Sequence, residues 1–467
     1  MPTTVDRRPS LLATVHRVIR QVGLVTCVRL GIVAGTALVA AWALRTFGRQ
    51  YDFFDLRIYH GAVVWWTEGG DLYQFIAPHT TLGFTYPPFA ALAMLPMAAL
   101  STQAAGWLNA LVGLAGLAVI LFAIVGPIAD RYGWPRWFAV GVAVPLAGAT
   151  EPVRETIGFG QVNLVLAALI IADLVALRWR GRAALDGGSA DPGTRTPLAW
   201  LRDAWLTGAF AGAGVGLATA VKLTPGLFIA YFLVTRQWRV AFTAIGTAIG
   251  VTIGAWLLAG RESDMYFGSV LWDTNRVGVV DATPNQSLAG LLARLYDSPT
   301  TPGLMWFAFA VLLLAVGLSR AKTAHTEGDE LAAFTLIGLT ANAICPISWT
   351  HHLVFLVPAL VILVDAALRR RRAVQGLKFG RFPALAGLRY GLSAAGLYVL
   401  FVTSPMWRYE HHLQKESHYA DGRFGALMEN SLALTLIVLI VLLPWRPGAE
   451  PVFEASPARR SLARSSH

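Results

Sequence analysis

Charge is scarce in this chain: only 14% of its 467 residues are Asp, Glu, Lys or Arg, against roughly a quarter in soluble domains. Cysteine is scarcer still. Cys27 and Cys345 are the only two, each within an apolar run, which excludes a disulfide framework or a cysteine metal cluster; both are expected to be buried small hydrophobes. With 55% hydrophobic residues, 16 Trp and a mean hydropathy of +0.54, the chain is neither disordered nor collagenous, and lipid is expected over most of its surface.

The net charge of +11 is distributed as a membrane topology signal. Arg7, Arg8, Arg17, Arg20 and Arg29 belong to the first basic stretch, Arg178, Arg180, Arg182, Arg195 and Arg202 share one connection, and Arg369 to Arg372 open another. Short basic loops beside apolar spans are cytoplasmic by the positive-inside rule, which leaves no role for nucleic acid.

Apolar spans are expected at 28 to 46, 104 to 127, 161 to 178, 205 to 221, 240 to 259, 303 to 319, 331 to 348, 351 to 368, 387 to 403 and 431 to 445, with shorter pieces at 86 to 101, 134 to 149 and 223 to 235. The expected fold is an all-α polytopic membrane protein of about 11–13 transmembrane helices. Its parts are a basic cytoplasmic tail at 1–27, a membrane domain at 28–445 and a disordered cytoplasmic tail at 446–467, with a flexible inner loop at 183–199. Parity puts loops 47–85 and 260–302 outside and requires one of 86–101, 104–127 and 134–149 not to cross.

Unusual polar residues collect on that outer side. Asp55 and Tyr59 are four apart in an aromatic stretch that predicts a short amphipathic helix in the first outer loop. An acid there can serve as a general base toward a hydroxyl, or simply cap the helix or pair with Arg57. Gln161 and Asn163 open a span; carboxamides suit sugar hydroxyls, and equally helix-to-helix hydrogen bonds. Lys222, next to the break at Pro225, can bind an anionic phosphate or snorkel to the interface. Arg276, Asn285 and Gln286 add polar groups in the 260–302 loop, where Asn275 also lies. His351 and His352 are adjacent, so at most one faces a given point, which argues against a paired metal site. Glu410, His411, His412 and His418 read as an exposed solvated cluster.

Taken in order, Asp55-Leu56-Arg57-Ile58-Tyr59, Tyr86-Pro87-Pro88, Gly160-Gln161-Val162-Asn163, Lys222-Leu223-Thr224-Pro225, Asn285-Gln286-Ser287-Leu288 and Ser348-Trp349-Thr350-His351-His352 resemble the blocks of the actinobacterial polyprenol-phosphate-mannose-dependent mannosyltransferases, glycosyltransferase family 87 of the GT-C superfamily. The resemblance covers about residues 50 to 360. It implies polyprenyl-phosphate mannose as donor and a mannosylated lipid as acceptor: a phosphatidylinositol mannoside, lipomannan or lipoarabinomannan. It also implies α-1,2 linkages made with inversion at the outer face of the plasma membrane. Asp55, rather than Asp52, maps to the base; Lys222 maps to the leaving phosphate, with Arg276, His351 or His352 assisting. Tyr59, Gln161, Asn163, Asn285 and Gln286 are the further substrate-binding candidates. No metal or other cofactor is implied. A decaprenyl-phosphate-arabinose donor is the alternative within this class. A secondary transporter or flippase is the alternative outside it, and fits poorly because transporter sites lie at the membrane midplane.

Overall fold

The computed structural model describes residues 11–185, 204, 207–273, 276–375 and 387–449, with backbone alone for 11–22, 182–185 and 375. The first ten residues, most of the expected inner loop, Asn275 and the tail from 450 onward lie outside the described residues. Among the described residues regular structure is helical, apart from one isolated antiparallel bridge between Asn285 and Trp349.

The chain begins with α1 (Leu11–Phe47) and continues through α2 (Phe54–Thr67), α3 (Pro88–Met94), α4 (Thr102–Tyr132), α5 (Arg136–Ala149), α6 (Glu151–Phe159) and α7 (Asn163–Leu185). Next come α8 (Ala213–Val221), α9 (Gly226–Val234), α10 (Trp238–Leu258), α11 (Gly260–Gly268) and α12 (Leu288–Leu295). The last six are α13 (Gly303–Thr326), α14 (Glu330–Ile344), α15 (Leu356–Gln375), α16 (Leu388–Thr403), α17 (Gly422–Glu429) and α18 (Ser431–Leu442).

By length and composition, four described helices can each cross a bilayer: Gly23–Phe47 within α1, together with α4, α10 and α13. The number rises to six if the bent pairs α6 with α7 and α17 with α18 each count as one span. Several other spans expected from apolar runs form shorter helices, because Lys222 ends α8 and Cys345 ends α14. Short apolar helices persist where neighbours support them. Pro88–Ala99, a helix that tightens into a 3-10 turn, and α5 each rise roughly 20 Å against about 30 Å of hydrocarbon, so either is short for a crossing while α4 is not.

Packing runs from α1 to α5, α5 to α4, α4 to α7, α7 to α8 and α8 to α10, with α13 on α14 and α15 on α16. Every residue of α14 from Glu330 to Ala343 is buried, as expected of a helix apolar on all sides and surrounded by others. The periphery is apolar too: Leu257 and Leu304 are 82% and 86% exposed, which suits lipid and not water. Cys27 lies on this outward surface, where an apolar side chain in lipid gains nothing by facing inward, and Cys345 is partly exposed because it ends α14 at a cavity wall, which corrects the expectation that both are buried.

Arg446, at the start of the expected disordered tail, is instead 5% exposed. It donates to Asp329 at 2.6 and 2.8 Å and to Asp365 at 2.9 Å, tying the chain end to α14 and α15. Composition could not show this, since both carboxylates come from distant parts of the chain. Arg446→Ala is expected to destabilise the fold by about 3 kcal/mol, because it leaves the buried Asp329 carboxylate without a cation, whereas Asp365 keeps Arg131 and Arg369. Thermal unfolding in detergent checks this; an unchanged midpoint would make the pair dispensable.

Candidate functional site

Two segments of unusual backbone meet at one end of the bundle. After α1 the chain turns through Asp52 and Phe53, both left-handed at φ 48° and 53°, before entering α2. Phe53 is the N-cap of α2, and Arg57 pairs with Asp52. Asp55 is therefore neither the helix cap nor the partner of Arg57. Its side chain is 17% exposed and faces a cavity of about 710 Å³.

Opposite α2, α6 ends at Gly160, whose φ of 73° favours glycine. A Cβ there would also lie 2.5 Å from that of Leu56, so glycine both ends the helix and lets α2 approach. The next residue, Gln161, donates from Nε2 to Asp55 Oδ2 at 2.6 Å. The Tyr86 hydroxyl donates to Gln161 Oε1 at 2.7 Å, fixing the amide so that its donor end meets the carboxylate. Tyr59 Oη lies 3.4 Å from the same Nε2, and its ring packs 4.9 Å from that of Tyr86.

Lys222 does not snorkel: its Nζ donates to Asn163 Oδ1 at 3.2 Å and lies 5.4 Å from the centroid of the Tyr86 ring. Asn163 Nδ2 in turn donates to the His351 carbonyl at 3.0 Å, which also accepts from Thr156 Oγ1 at 2.8 Å. These bonds hold the 3-10 turn Thr350–His352 and leave His351 Nε2 3.7 Å from Asp55 Oδ2. Both His351 ring nitrogens are buried without a protein hydrogen-bond partner. His352 Nδ1 accepts from the Trp349 backbone at 3.2 Å, so this imidazole is partly committed to its own turn.

Asp55, Tyr59, Gln161, Lys222, His351 and His352 thus line one cavity. Arg276 lines it as well and donates to the Tyr73 carbonyl. Asn163 touches the group from behind, on a smaller recess of about 50 Å³ that Lys222 and His352 share. Asn285 and Gln286 are fully buried and bonded elsewhere: Asn285 to Val280, Pro346, Ser287 and Ser348, Gln286 to Thr283, Glu429 and Ala433. They clamp the 280–287 loop to its neighbours. His418 is also buried, between Glu429 at 3.0 Å and Asp281 at 3.3 Å, rather than solvated. Sequence reasoning missed the orienting part of Tyr86, although Tyr86-Pro87-Pro88 stood out as a block.

Burial pushes the Asp55 carboxyl up to about 6; the Gln161 hydrogen bond and the Lys222 charge oppose it, and Glu155 adds to it. Burial, then the Lys222 charge, push His351 well below its ordinary value, leaving a neutral imidazole. A carboxylate poised near neutrality, a cation and an uncharged imidazole on one cavity can take a proton from a hydroxyl and hold developing negative charge. Among the described residues no group of three His, Cys, Asp or Glu side chains is placed to hold a metal ion.

The family model described as glycosyltransferase family 87 matches residues 84–348. The polyprenol-phosphate-mannose-dependent alpha-(1-2)-phosphatidylinositol mannoside mannosyltransferase of Mycobacterium tuberculosis is 31% identical over 361 residues, covering 73% of this chain and 77% of that protein. Its namesake in Mycolicibacterium smegmatis is 30% identical over 352 residues, covering 70% and 73%. The corresponding pentamannoside enzyme of Mycolicibacterium smegmatis is 28% identical over 337 residues, again covering 70% and 73%. Among solved structures, ArnT from Cupriavidus metallidurans bound to undecaprenyl phosphate aligns with a TM-score of 0.35 at 16% identity, over 88% of this chain and 76% of that one.

Gln161→Leu removes the donor that favours the ionised carboxylate, so the Asp55 carboxyl should move upward from about 6. Carbon NMR of aspartate-labelled protein in nanodiscs follows it; an unchanged or lower value would remove Gln161 from that role.

Proposed function

Because the chain belongs to glycosyltransferase family 87, we infer that it transfers mannose from polyprenyl-phosphate mannose to a mannosylated phosphatidylinositol lipid, forming an α-1,2 linkage with inversion. The observation that carries the reading is Asp55: a carboxylate lifted toward neutrality, bound to Gln161 and facing a cavity that also holds Lys222. An acceptor longer than a phosphatidylinositol mannoside fits only if its terminal mannose still reaches Asp55.

In this reading the Asp55 carboxylate accepts the proton of an acceptor hydroxyl as its oxygen attacks the anomeric carbon. The bond from that carbon to the donor phosphate breaks, and the electron pair leaves with polyprenyl phosphate, whose new charge is met by Lys222. The lysine offsets the one negative charge that the phosphate gains in this step, so no divalent ion is needed to meet it. Chelation by EDTA should accordingly leave turnover unchanged.

The cavity is assigned to the outer side of the plasma membrane and both termini to the cytoplasm. Support comes from α15, which begins just after His352 and carries Arg369 to Arg372 toward its far end, where Arg369 shares a recess with Arg131 and Arg178.

Membranes containing the protein are given radiolabelled polyprenyl-phosphate mannose or decaprenyl-phosphate arabinose with a mixed mannolipid pool. Label is expected from mannose alone, and Asp55→Asn should cut it by about a hundredfold to ten-thousandfold. Substantial turnover in that variant, or label from arabinose, would overturn the base or the donor respectively. The acid limb of kcat/KM should fall near the Asp55 value of about 6, since protonation removes the base. Lys222→Met removes a charge that favours ionisation, so the limb should shift to higher pH; a shift downward contradicts the arrangement.

A further inference from the structure

Glu155 lies one turn before the end of α6, is fully buried, and does not line the cavity. Both of its carboxylate oxygens are committed, one to each segment that builds the site. Oε1 accepts from the Tyr51 hydroxyl at 2.8 Å, and Oε2 accepts from Thr350 Oγ1.

Tyr51 opens the turn whose next two residues, Asp52 and Phe53, are both left-handed. For non-glycine residues such a conformation costs about 1–3 kcal/mol each and persists only where its surroundings over-determine it. α6 supplies that constraint. Phe53 N donates to the Gly158 carbonyl at 2.9 Å, and a Cβ at Gly158 would come within 2.3 Å of the Tyr51 ring. Asp55 follows two residues after this turn. Thr350 is likewise the residue before His351 and the first of its 3-10 turn.

The elements flanking Glu155 act on the same two residues. Thr156, next in sequence, binds the His351 carbonyl, and Gln161, just past the helix end, binds Asp55. α6 itself is anchored at its start, where Trp407 donates to Glu151 at 2.5 Å and Arg154 donates to the Val402 carbonyl at 2.6 Å. It is therefore a fixed bar with two loops hung from it. A carboxylate accepts strong hydrogen bonds from two hydroxyls at once, which no neutral side chain of that length does equally well.

We propose that Glu155 is a positioning residue that holds the Asp55 turn and the His351 turn in register from behind the cavity, without touching substrate. The proposal rests on Asp55 being the base. Without the clamp the strained turn relaxes and the carboxylate drifts from the acceptor hydroxyl, while Lys222 and the donor subsite stay in place. Displacements of about 1 Å near a reacting centre cost on the order of a hundredfold in rate.

The test compares Glu155→Gln, Thr350→Val and Thr350→Ser with Asp55→Asn in the full-length protein, using polyprenyl-phosphate mannose and the mannolipid pool. Glu155→Gln and Thr350→Val should each lower kcat by roughly ten- to a hundredfold with little change in donor KM. Thr350→Ser keeps the hydroxyl and should be restored to near wild-type turnover. The double variant Glu155→Gln/Thr350→Val should be no slower than the worse single one, since both break one contact.

A separate readout is the acid limb of kcat/KM. The charged or titratable groups near Asp55 are Lys222 beyond α8, His351 and His352 in the 3-10 turn, Tyr59 on α2, Tyr86 before α3 and Glu155 on α6, with Arg49, Tyr266, Asp273, Arg276 and Glu410 elsewhere on the cavity wall. Of the carboxylates Glu155 is the one whose charge disfavours ionisation of Asp55, so Glu155→Gln should move the limb to lower pH. A residue serving stability alone would reduce the active fraction without moving kcat per active site, the limb or the serine rescue, and that pattern overturns the proposal. If Glu155→Gln does not fold, the two Thr350 variants decide it by the same criteria. Normal turnover in Glu155→Gln and Thr350→Val beside an inactive Asp55→Asn refutes the clamp alone, whereas turnover in Asp55→Asn refutes the base.

Discussion

One amide, that of Gln161, sets the chemistry of the cavity. Its oxygen is engaged by Tyr86, so its nitrogen has a single sense in which to face Asp55, and the carboxylate accepts from a donor that cannot rotate away. Burial alone would drive Asp55 toward its protonated form; this bond and Lys222 return it to a range in which it can be ionised and still hold a proton. The local glycine follows from the same need. Gln161 reaches the carboxylate because α6 stops abruptly at Gly160 and α2 comes close enough to touch it.

The low-dielectric surroundings explain how the remaining polar groups are arranged. A bilayer offers no water to satisfy them, so nearly every one is tied to backbone of another segment: Asn163 to the His351 carbonyl, Asn285 to Pro346, Gln286 to Glu429, Arg154 to Val402. Short helices then become an advantage. Where α8 and α14 end within the bundle, their freed termini bring Lys222 and the 345–352 stretch to the cavity wall.

Helical membrane architecture was legible from the scarcity of charge and the length of the apolar runs, and the polar blocks that interrupt those runs do meet. Asp55, Lys222 and His351 were recognisable because each is costly at a membrane face unless something uses it. Asn285 and Gln286 carry the same signal and turn out to be loop staples, since a carboxamide satisfies buried backbone as readily as a sugar hydroxyl. The roles of Tyr86, Glu155 and Arg446 were not legible. Each depends on partners about 75 to 195 positions away in the chain, and no local pattern announces such a meeting. Helix ends were not legible for a related reason, because an apolar run does not reveal where its helix is cut by a lysine or a cysteine.

The partnerless imidazole of His351 has one more consequence. A cavity within a membrane protein is always at risk of filling with the tail of a neighbouring lipid, which is abundant and mobile. Hydrocarbon packed against His351 would leave two buried ring nitrogens facing it with nothing to bond, at a cost of about 1–3 kcal/mol each. The same nitrogens welcome a hydroxylated guest. A polar guest is therefore favoured over an acyl chain at this wall of the cavity.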